Sequence, residues 1–212
     1  MRLVLLGAPG AGKGTQAKIV SEKFNIPHIS TGDILRNEIK LDTVLGRKAS
    51  QFVKEGKLVP DELIIKIIKN EIGKTGSKDG FLMDGFPRNL KQAKLFQDML
   101  KKLGLNLDKV INVDVGKEEL VKRLGSRRVC HSCNNICSID KLKDSNSERC
   151  PECGGELFKR RDDDSEVISE RLNVYGKETR PLIEYYKDKN LLININGSGS
   201  QKEVTERILE HL

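Results

Sequence analysis

Tryptophan is absent from this chain, and aromatic residues make up only 4% of it. A platform for stacking single-stranded bases is therefore poorly supplied, although a formal charge of +7 invites a nucleic-acid reading. Apolar stretches are short; none approaches the roughly twenty residues that a membrane-spanning helix needs. The opening Met1–Leu6 is too brief for a secretory leader and runs straight into a glycine-rich loop, so the expected compartment is the cytoplasm. Internal repeats and low-complexity tracts are missing. Cysteine is scarce everywhere except Cys130–Cys153, which holds all five, and an odd, clustered set argues against a disulfide framework and for a metal.

What is present suffices for a packed core. The 212 residues are 37% hydrophobic and 33% charged, as in one large domain or one core with insertions. The run Leu3-Val4-Leu5-Leu6 leads into Gly7-Ala8-Pro9-Gly10-Ala11-Gly12-Lys13-Gly14-Thr15, and an amphipathic segment, Gln16–Phe24, follows. A buried strand that ends in such a loop and opens a helix is a phosphate-binding device. The glycines let backbone N–H groups turn around a polyphosphate, and the helix points its positive end at the same anion. Lys13 adds a mobile charge for the outer phosphates. Gly14 stands where the common motif has a Ser or Thr hydroxyl for Mg²⁺, and Thr15 comes one place later. The metal is then expected to rest mainly on phosphates and water.

Strand-like runs at Leu3–Leu6, Pro27–Ile29, Phe81–Asp84, Val110–Val115 and Leu191–Ile195 alternate with helical patterns. The helices are expected over Gly14–Phe24, Thr31–Lys40, Thr43–Glu55, Pro60–Ile72, Leu90–Leu103, Lys117–Leu124, Asp164–Tyr186 and Gln201–Leu212. This is the α/β pattern of a parallel five-stranded sheet flanked by helices. Two stretches break the rhythm. Ser30–Val59 holds helices with no strand, and in Ser126–Asp163 the pattern gives way to cysteines, glycines and polar residues. Both are expected as excursions from the carboxyl edge of the sheet, where open α/β folds bind ligands.

Cys130-His131-Ser132-Cys133 and Cys150-Pro151-Glu152-Cys153 form two C-x2-C pairs separated by sixteen residues. Each pair can aim two thiolates at one tetrahedral ion, and the spacing suits a zinc ribbon, with iron a possible occupant of the same cage. Four thiolates leave no open position for chemistry, so the ion is expected to be structural. Cys137 is left over as a free thiol, and His131 lies between ligands rather than among them.

Phe81-Leu82-Met83-Asp84-Gly85-Phe86-Pro87-Arg88 is a strand ending in an acid, then a turn delivering an arginine beside the phosphate loop. With Gly7–Thr15, Ser30-Thr31-Gly32-Asp33 and Arg160-Arg161-Asp162-Asp163, it closely resembles the adenylate kinases, in the long-lidded, zinc-bearing bacterial form. The resemblance spans essentially the whole chain. It implies a P-loop nucleoside-monophosphate kinase fold with a core of residues 1–29, 60–125 and 164–212. It also implies an AMP-binding domain, 30–59, and a zinc-bearing lid, 126–163. The implied activity is reversible, Mg²⁺-dependent transfer of a phosphoryl group from ATP to AMP, giving two ADP and balancing the adenine nucleotides.

Carried onto matching positions, the resemblance puts ATP on Gly10, Ala11, Gly12, Lys13, Gly14 and Thr15, with Arg127, Ile136, Cys137 and Gly199. AMP falls to Thr31, Arg36, Lys57, Leu58, Val59, Gly85, Phe86, Pro87, Arg88 and Gln92, the last reading the adenine edge, together with Arg160 and Arg171. Lys13, Arg88, Arg123, Arg160 and Arg171 become the catalytic cations, and Asp84 orients Mg²⁺ through water. A monomer acting on ATP, AMP and ADP is implied, with neither nucleic acid nor membrane as partner. The lid departs from the family in Gly125-Ser126 before Arg127-Arg128, and in Asn134 and Cys137, where Gly and Tyr are usual. A side-chain aromatic contact to ATP is thereby lost at Cys137.

The chemistry agrees with the resemblance. Moving a phosphoryl group between polyanions needs charge neutralisation, alignment and exclusion of water, and guanidinium forks suit phosphate oxygens. A sister kinase for UMP, CMP or GMP is the first alternative. A zinc-ribbon nucleic-acid-binding ATPase is the second, disfavoured because Asp140, Asp144, Glu148, Glu152 and Glu156 dilute the basic charge around the knuckles.

Overall fold

A computed structural model describes residues 1–74, 80–142 and 148–212; Asp144, counted above among the acids of the insertion, lies outside them. Five parallel strands form the central sheet: β1 (Arg2–Leu6), β2 (His28–Ser30), β3 (Phe81–Asp84), β4 (Lys109–Asp114) and β8 (Leu192–Asn196). Their order across the sheet is β2-β3-β1-β4-β8. Each strand end falls within one residue of its expected place. The inner strands β1 and β3 read as apolar runs because both faces are covered, while the edge strands β2 (His28-Ile29-Ser30) and β8 (Leu192-Ile193-Asn194-Ile195-Asn196) carry polar residues. Leu3 and Leu5 face one layer with Ala17, Val20, Val204 and Ile208, while Val4 and Leu6 face the other with Ile68, Phe96 and Leu182.

Helices α1 (Lys13–Phe24), α6 (Lys117–Ser126) and α9 (Gln201–Leu209) contribute to the first layer. The second takes α4 (Asp61–Lys74) and α5 (Leu90–Lys102). Between β2 and α4 stand α2 (Thr31–Lys40) and α3 (Val44–Lys54), with no strand, as expected. Local chemistry sets the helix starts. Ser30 Oγ accepts from the Asp33 N–H, Thr43 Oγ1 from Gly46, and Asn89 Oδ1 from Gln92. Ser200 and Glu203 form a reciprocal capping box at α9.

Two expectations need correction. The single helix expected over Asp164–Tyr186 is α7 (Ser165–Val174), a π turn over Tyr175–Thr179, and α8 (Pro181–Lys187). Pro181 has no N–H to continue an α-helical ladder, and the Arg180 N–H reaches back five residues to the Tyr175 carbonyl at 2.9 Å. The second correction concerns Ser126–Asp163, where no regular elements were expected. Strands β5 (Arg127–Cys130), β6 (Ile136–Ser138) and β7 (Leu157–Phe158) form a small antiparallel sheet in the order β6-β5-β7. Strands of two to four residues, broken by polar turns, carry too short an alternation to be seen in sequence. Among the described residues no helix is long and apolar enough to cross a membrane.

Candidate active site: a basic cleft and a four-cysteine cluster

The loop after β1 delivers bare backbone donors. Gly12 caps α1 at φ +91°, a conformation that suits glycine, and α1 has neither a side-chain cap nor an acid in its first turn. Its N-terminal N–H groups are therefore left for an anion. Lys13 folds back so that Nζ donates to the carbonyls of Gly7 at 2.7 Å and Ala8 at 2.9 Å. Burial lowers its pKa to about 8; Asp84 opposes that shift, while Arg88, Arg171 and Arg127 reinforce it. Asp84 ends β3, with Oδ2 3.6 Å from His28 Nε2. A methyl group on Gly14 would stand 3.5 Å from the same oxygen. A single carboxylate suits Mg²⁺, which keeps several waters and leans on substrate phosphates.

Beside this loop opens a cleft of about 1060 Å³, solvent at its mouth included. Gly7, Pro9 and Lys13 form one wall; Thr31, Arg36, Lys57, Leu58 and Val59 form another. Gly85, Pro87, Arg88 and Gln92 come from the turn after β3, and Arg171, Tyr175 and Thr179 from α7 and the π turn. Gly85 holds φ +77°, and a Cβ there would approach Thr31 Oγ1 to 2.8 Å, so no other residue fits the turn. Thr31 Oγ1 donates to the Gly85 carbonyl at 2.8 Å, and Arg88 Nε donates to the same carbonyl at 2.7 Å. Thr179 Oγ1 donates to the Arg88 carbonyl at 2.7 Å, which ties the π turn to the cleft. Solvent in the open cleft reaches Arg88, yet the crowded surroundings and Arg171 lower its pKa to about 10. Gln92 is buried: its Oε1 accepts from the Arg88 N–H at 2.7 Å and its Nε2 donates to Asp61 Oδ1 at 2.8 Å.

Two buried acids organise the remaining arginines. Asp163 is fully buried between Arg127, which meets both its oxygens, and Arg171, whose Nη1 lies 2.8 Å from Oδ1. Asp162 lies 3.2 Å from Arg171 and 4.0 Å from Arg36. Burial pushes the Asp162 pKa up, but Arg171, Arg36, Arg127 and Arg160 outweigh it and hold the carboxyl below its ordinary range. Arg160 sits 4.0 Å from Asp33, its pKa lowered to about 10 by burial and by Arg36 and Arg127. Asp162 and Asp163 stand in the Arg160-Arg161-Asp162-Asp163 motif, yet the sequence alone assigns neither a role. The signal was the side-by-side Arg-Arg-Asp-Asp, since so many clustered cations need carboxylates to hold them.

Arg123 lies over the loop, its Nη1 3.9 Å from where a Gly12 Cβ would stand. It donates to Glu119 and to the Gly197 carbonyl, and Ser198 Oγ bonds the other Glu119 oxygen at 3.0 Å. Glu119 was not anticipated; its i,i+4 spacing to Arg123 on α6 was the available sign. Gly199 follows in the same turn at φ +102°. Ile136 and Cys137 do not line the cleft; both lie on β6, where Ile136 is exposed and Cys137 packs toward Cys130, Cys150 and Leu157.

The four remaining thiols converge. The sulfurs of Cys130, Cys133, Cys150 and Cys153 all lie within 4.8 Å of one another, with Cys130–Cys153 at 3.5 Å and Cys133–Cys150 at 3.7 Å. A tetrahedron of sulfurs about 2.3 Å from zinc has edges near ~3.8 Å, so the cluster can hold a metal ion. Backbone N–H groups of Cys133 and Ser132 lower the Cys130 pKa, while the neighbouring thiols of Cys153, Cys130 and Cys150 push Cys133 up, as crowded sulfurs share their protons. A Cβ on Gly155 would come within 2.9 Å of the Cys130 sulfur, so glycine keeps the cradle open. His131 stays outside the cluster and stacks on Phe158 at 4.1 Å.

Comparison with known proteins places this architecture. Residues 5–191 match the family model described as adenylate kinase. An adenylate kinase from Caldicellulosiruptor bescii is 46% identical over 212 residues, covering 100% of this chain and 99% of that one. One from Acetivibrio thermocellus is 48% identical over 212 residues, with 100% and 98% covered. A third, from Methanocella arvoryzae, is 49% identical over 205 residues, with 97% and 95% covered. With the phosphate loop, the basic cleft and full-length identity in agreement, the chain belongs to the adenylate kinase family.

Proposed function

We propose that this chain transfers the γ-phosphoryl group of ATP to the phosphate of AMP, releasing two ADP. The observation that carries the reading is the clustering of cations. Crowding in the cleft and mutual repulsion lower the pKa values of Lys13, Arg88 and Arg160, a cost that a bound polyanion relieves. Two anionic substrates supply the missing charge.

In this reading the Gly10–Thr15 loop and Lys13 hold the ATP phosphates. Arg123, Arg127 and Gly199 border that nucleotide, and Ile136 and Cys137, which lie outside the cleft lining, would meet it through backbone once the lid closes. Thr31, Arg36, Lys57–Val59, Gly85, Pro87, Arg88 and Gln92 receive AMP, with Phe86 buried in the core against Phe96 beneath them. Arg88, Arg123, Arg160 and Arg171 neutralise charge as the bond from the γ-phosphorus to the ADP oxygen breaks and one to an AMP phosphate oxygen forms. Bound at Asp84 through water, Mg²⁺ would supply further charge neutralisation between phosphates. Residues 1–29, 60–125 and 164–212 serve as the core, 30–59 as the AMP-binding unit and 126–163 as the lid over ATP. Closing such a lid excludes water, so the phosphoryl group is not lost to hydrolysis. Cys130, Cys133, Cys150 and Cys153 hold a structural ion, zinc by preference. We expect a cytoplasmic monomer. Turnover with ATP against a panel of nucleoside monophosphates tests the reading, AMP being the expected best acceptor.

A further inference from the structure

Gln92 sits in the cleft beside the aliphatic side chains of Leu35, Val53, Val59 and Ile64, a slot suited to a flat base. Its terminal amide is held at both ends. The Arg88 N–H, which can only donate, meets Oε1 at 2.7 Å. The Asp61 carboxylate, which can only accept, meets Nε2 at 2.8 Å. Chemistry therefore dictates the orientation, because a flipped amide would oppose N–H to N–H at one end and oxygen to carboxylate at the other. Asp61 is itself braced. Asn89 Nδ2 donates to the same Oδ1 at 3.0 Å, and Lys91 Nζ lies 3.3 Å from Oδ2. Burial raises the Asp61 pKa, but hydrogen bonds from Gln92, Asn89 and Lys91 outweigh it and hold the group below its ordinary value, ionised. Among the described residues no other partner takes the second N–H or the second lone pair of the amide.

We propose that Asp61 is a specificity-determining positioning residue, which together with the Arg88 N–H locks the Gln92 amide in the one orientation that accepts a 6-amino purine and rejects a 6-oxo purine. Adenine presents an N–H donor beside a ring-nitrogen acceptor. Hypoxanthine has nearly the same shape but presents a carbonyl acceptor beside a ring N–H, the reverse pattern. A freely turning amide could serve both; a locked one serves one. The inference rests on the reading of Gln92 as the contact to the base of the monophosphate.

The test is kcat/KM for AMP and for IMP, in wild type, Asp61→Asn and Asp61→Ala, with ATP as donor. A bidentate amide–base pair discriminates by roughly ten- to a hundredfold, so wild type should prefer AMP by at least that much. Asp61→Ala should lower the AMP:IMP ratio about tenfold. Asp61→Asn, whose carbonyl can still accept from Nε2, should lower it about threefold. In both variants the KM for ATP should stay within about twofold of wild type, because the ATP side of the cleft is untouched. Should Asp61→Ala fail to fold, the threefold step in Asp61→Asn carries the test. Equal losses for AMP and IMP, with an unchanged ratio in the folded variants, would mean that Asp61 only braces the start of α4, and the lock is overturned. A wild type that accepts IMP as readily as AMP overturns the reading of Gln92 itself, and the lock falls with it.

Discussion

At the scale of single residues, the cleft is defined by charges held where charge is costly. Arg88 is anchored through Nε to the Gly85 carbonyl and reaches into the cavity rather than the core. Replacing it with alanine should cut turnover by roughly a hundredfold or more while the fold persists. Circular dichroism and steady-state kinetics on one preparation check this; near-normal turnover would remove Arg88 from the reaction. Lys13 makes a pH prediction. In the free protein it gives up its proton near pH 8, against an ordinary value of 10.5 in an unfolded chain. Protonated Lys13 thus burdens the folded state below about pH 8, and that burden lifts as pH rises from 8 to 10.5. The polyphosphate needs the charged form, so ATP affinity should weaken above about pH 8, with a proton taken up on binding. Calorimetry at pH 9 in two buffers of different ionisation enthalpy measures that proton; none taken up would contradict the depressed value.

At the scale of elements, the Ser126–Asp163 segment has little with which to fold itself. Its buried apolar cluster among the described residues is Cys130, Cys150 and Leu157, with Cys137 and Leu142 packed against it. So small a core offers little against the ordering entropy of three short strands, and a metal held by the four thiols would add its binding free energy to folding. Changing Cys130 and Cys133 to serine should remove the metal and lower the melting temperature. Turnover should survive at low temperature, because Lys13 and Arg88 stand outside the cluster. Metal content, melting and turnover are measured on the same sample. Lost turnover in a variant whose segment is still folded would make the ion catalytic. The π turn at Tyr175–Thr179 belongs to this scale too: it interrupts a helical stretch in order to bring Tyr175 and Thr179 to the cleft.

At the scale of the whole molecule, the sheet was legible because its inner strands are largely apolar on both faces and each strand is bounded by glycine, proline or acids. The loop at Gly7–Thr15 and the two C-x2-C pairs were legible for a related reason: their chemistry is local, carried by residues within a few positions of one another. What stayed hidden depends on distance in sequence. Gln92 finds Asp61 thirty-one residues away, and Arg127 finds Asp163 thirty-six residues away, pairings that only the folded chain creates. The π turn escaped notice because helical periodicity continues on both sides of it. The phosphate loop, Gln92 and the π turn meet at one cleft, and the reaction proposed for it is phosphoryl transfer from ATP to AMP. The most direct test is to incubate the protein with ATP, Mg²⁺ and one monophosphate at a time, and to count every nucleotide and any free phosphate. With AMP, each ATP consumed should yield two ADP and no inorganic phosphate, faster than with UMP, CMP or GMP. Phosphate release without ADP doubling, or a faster reaction with another monophosphate, would contradict it.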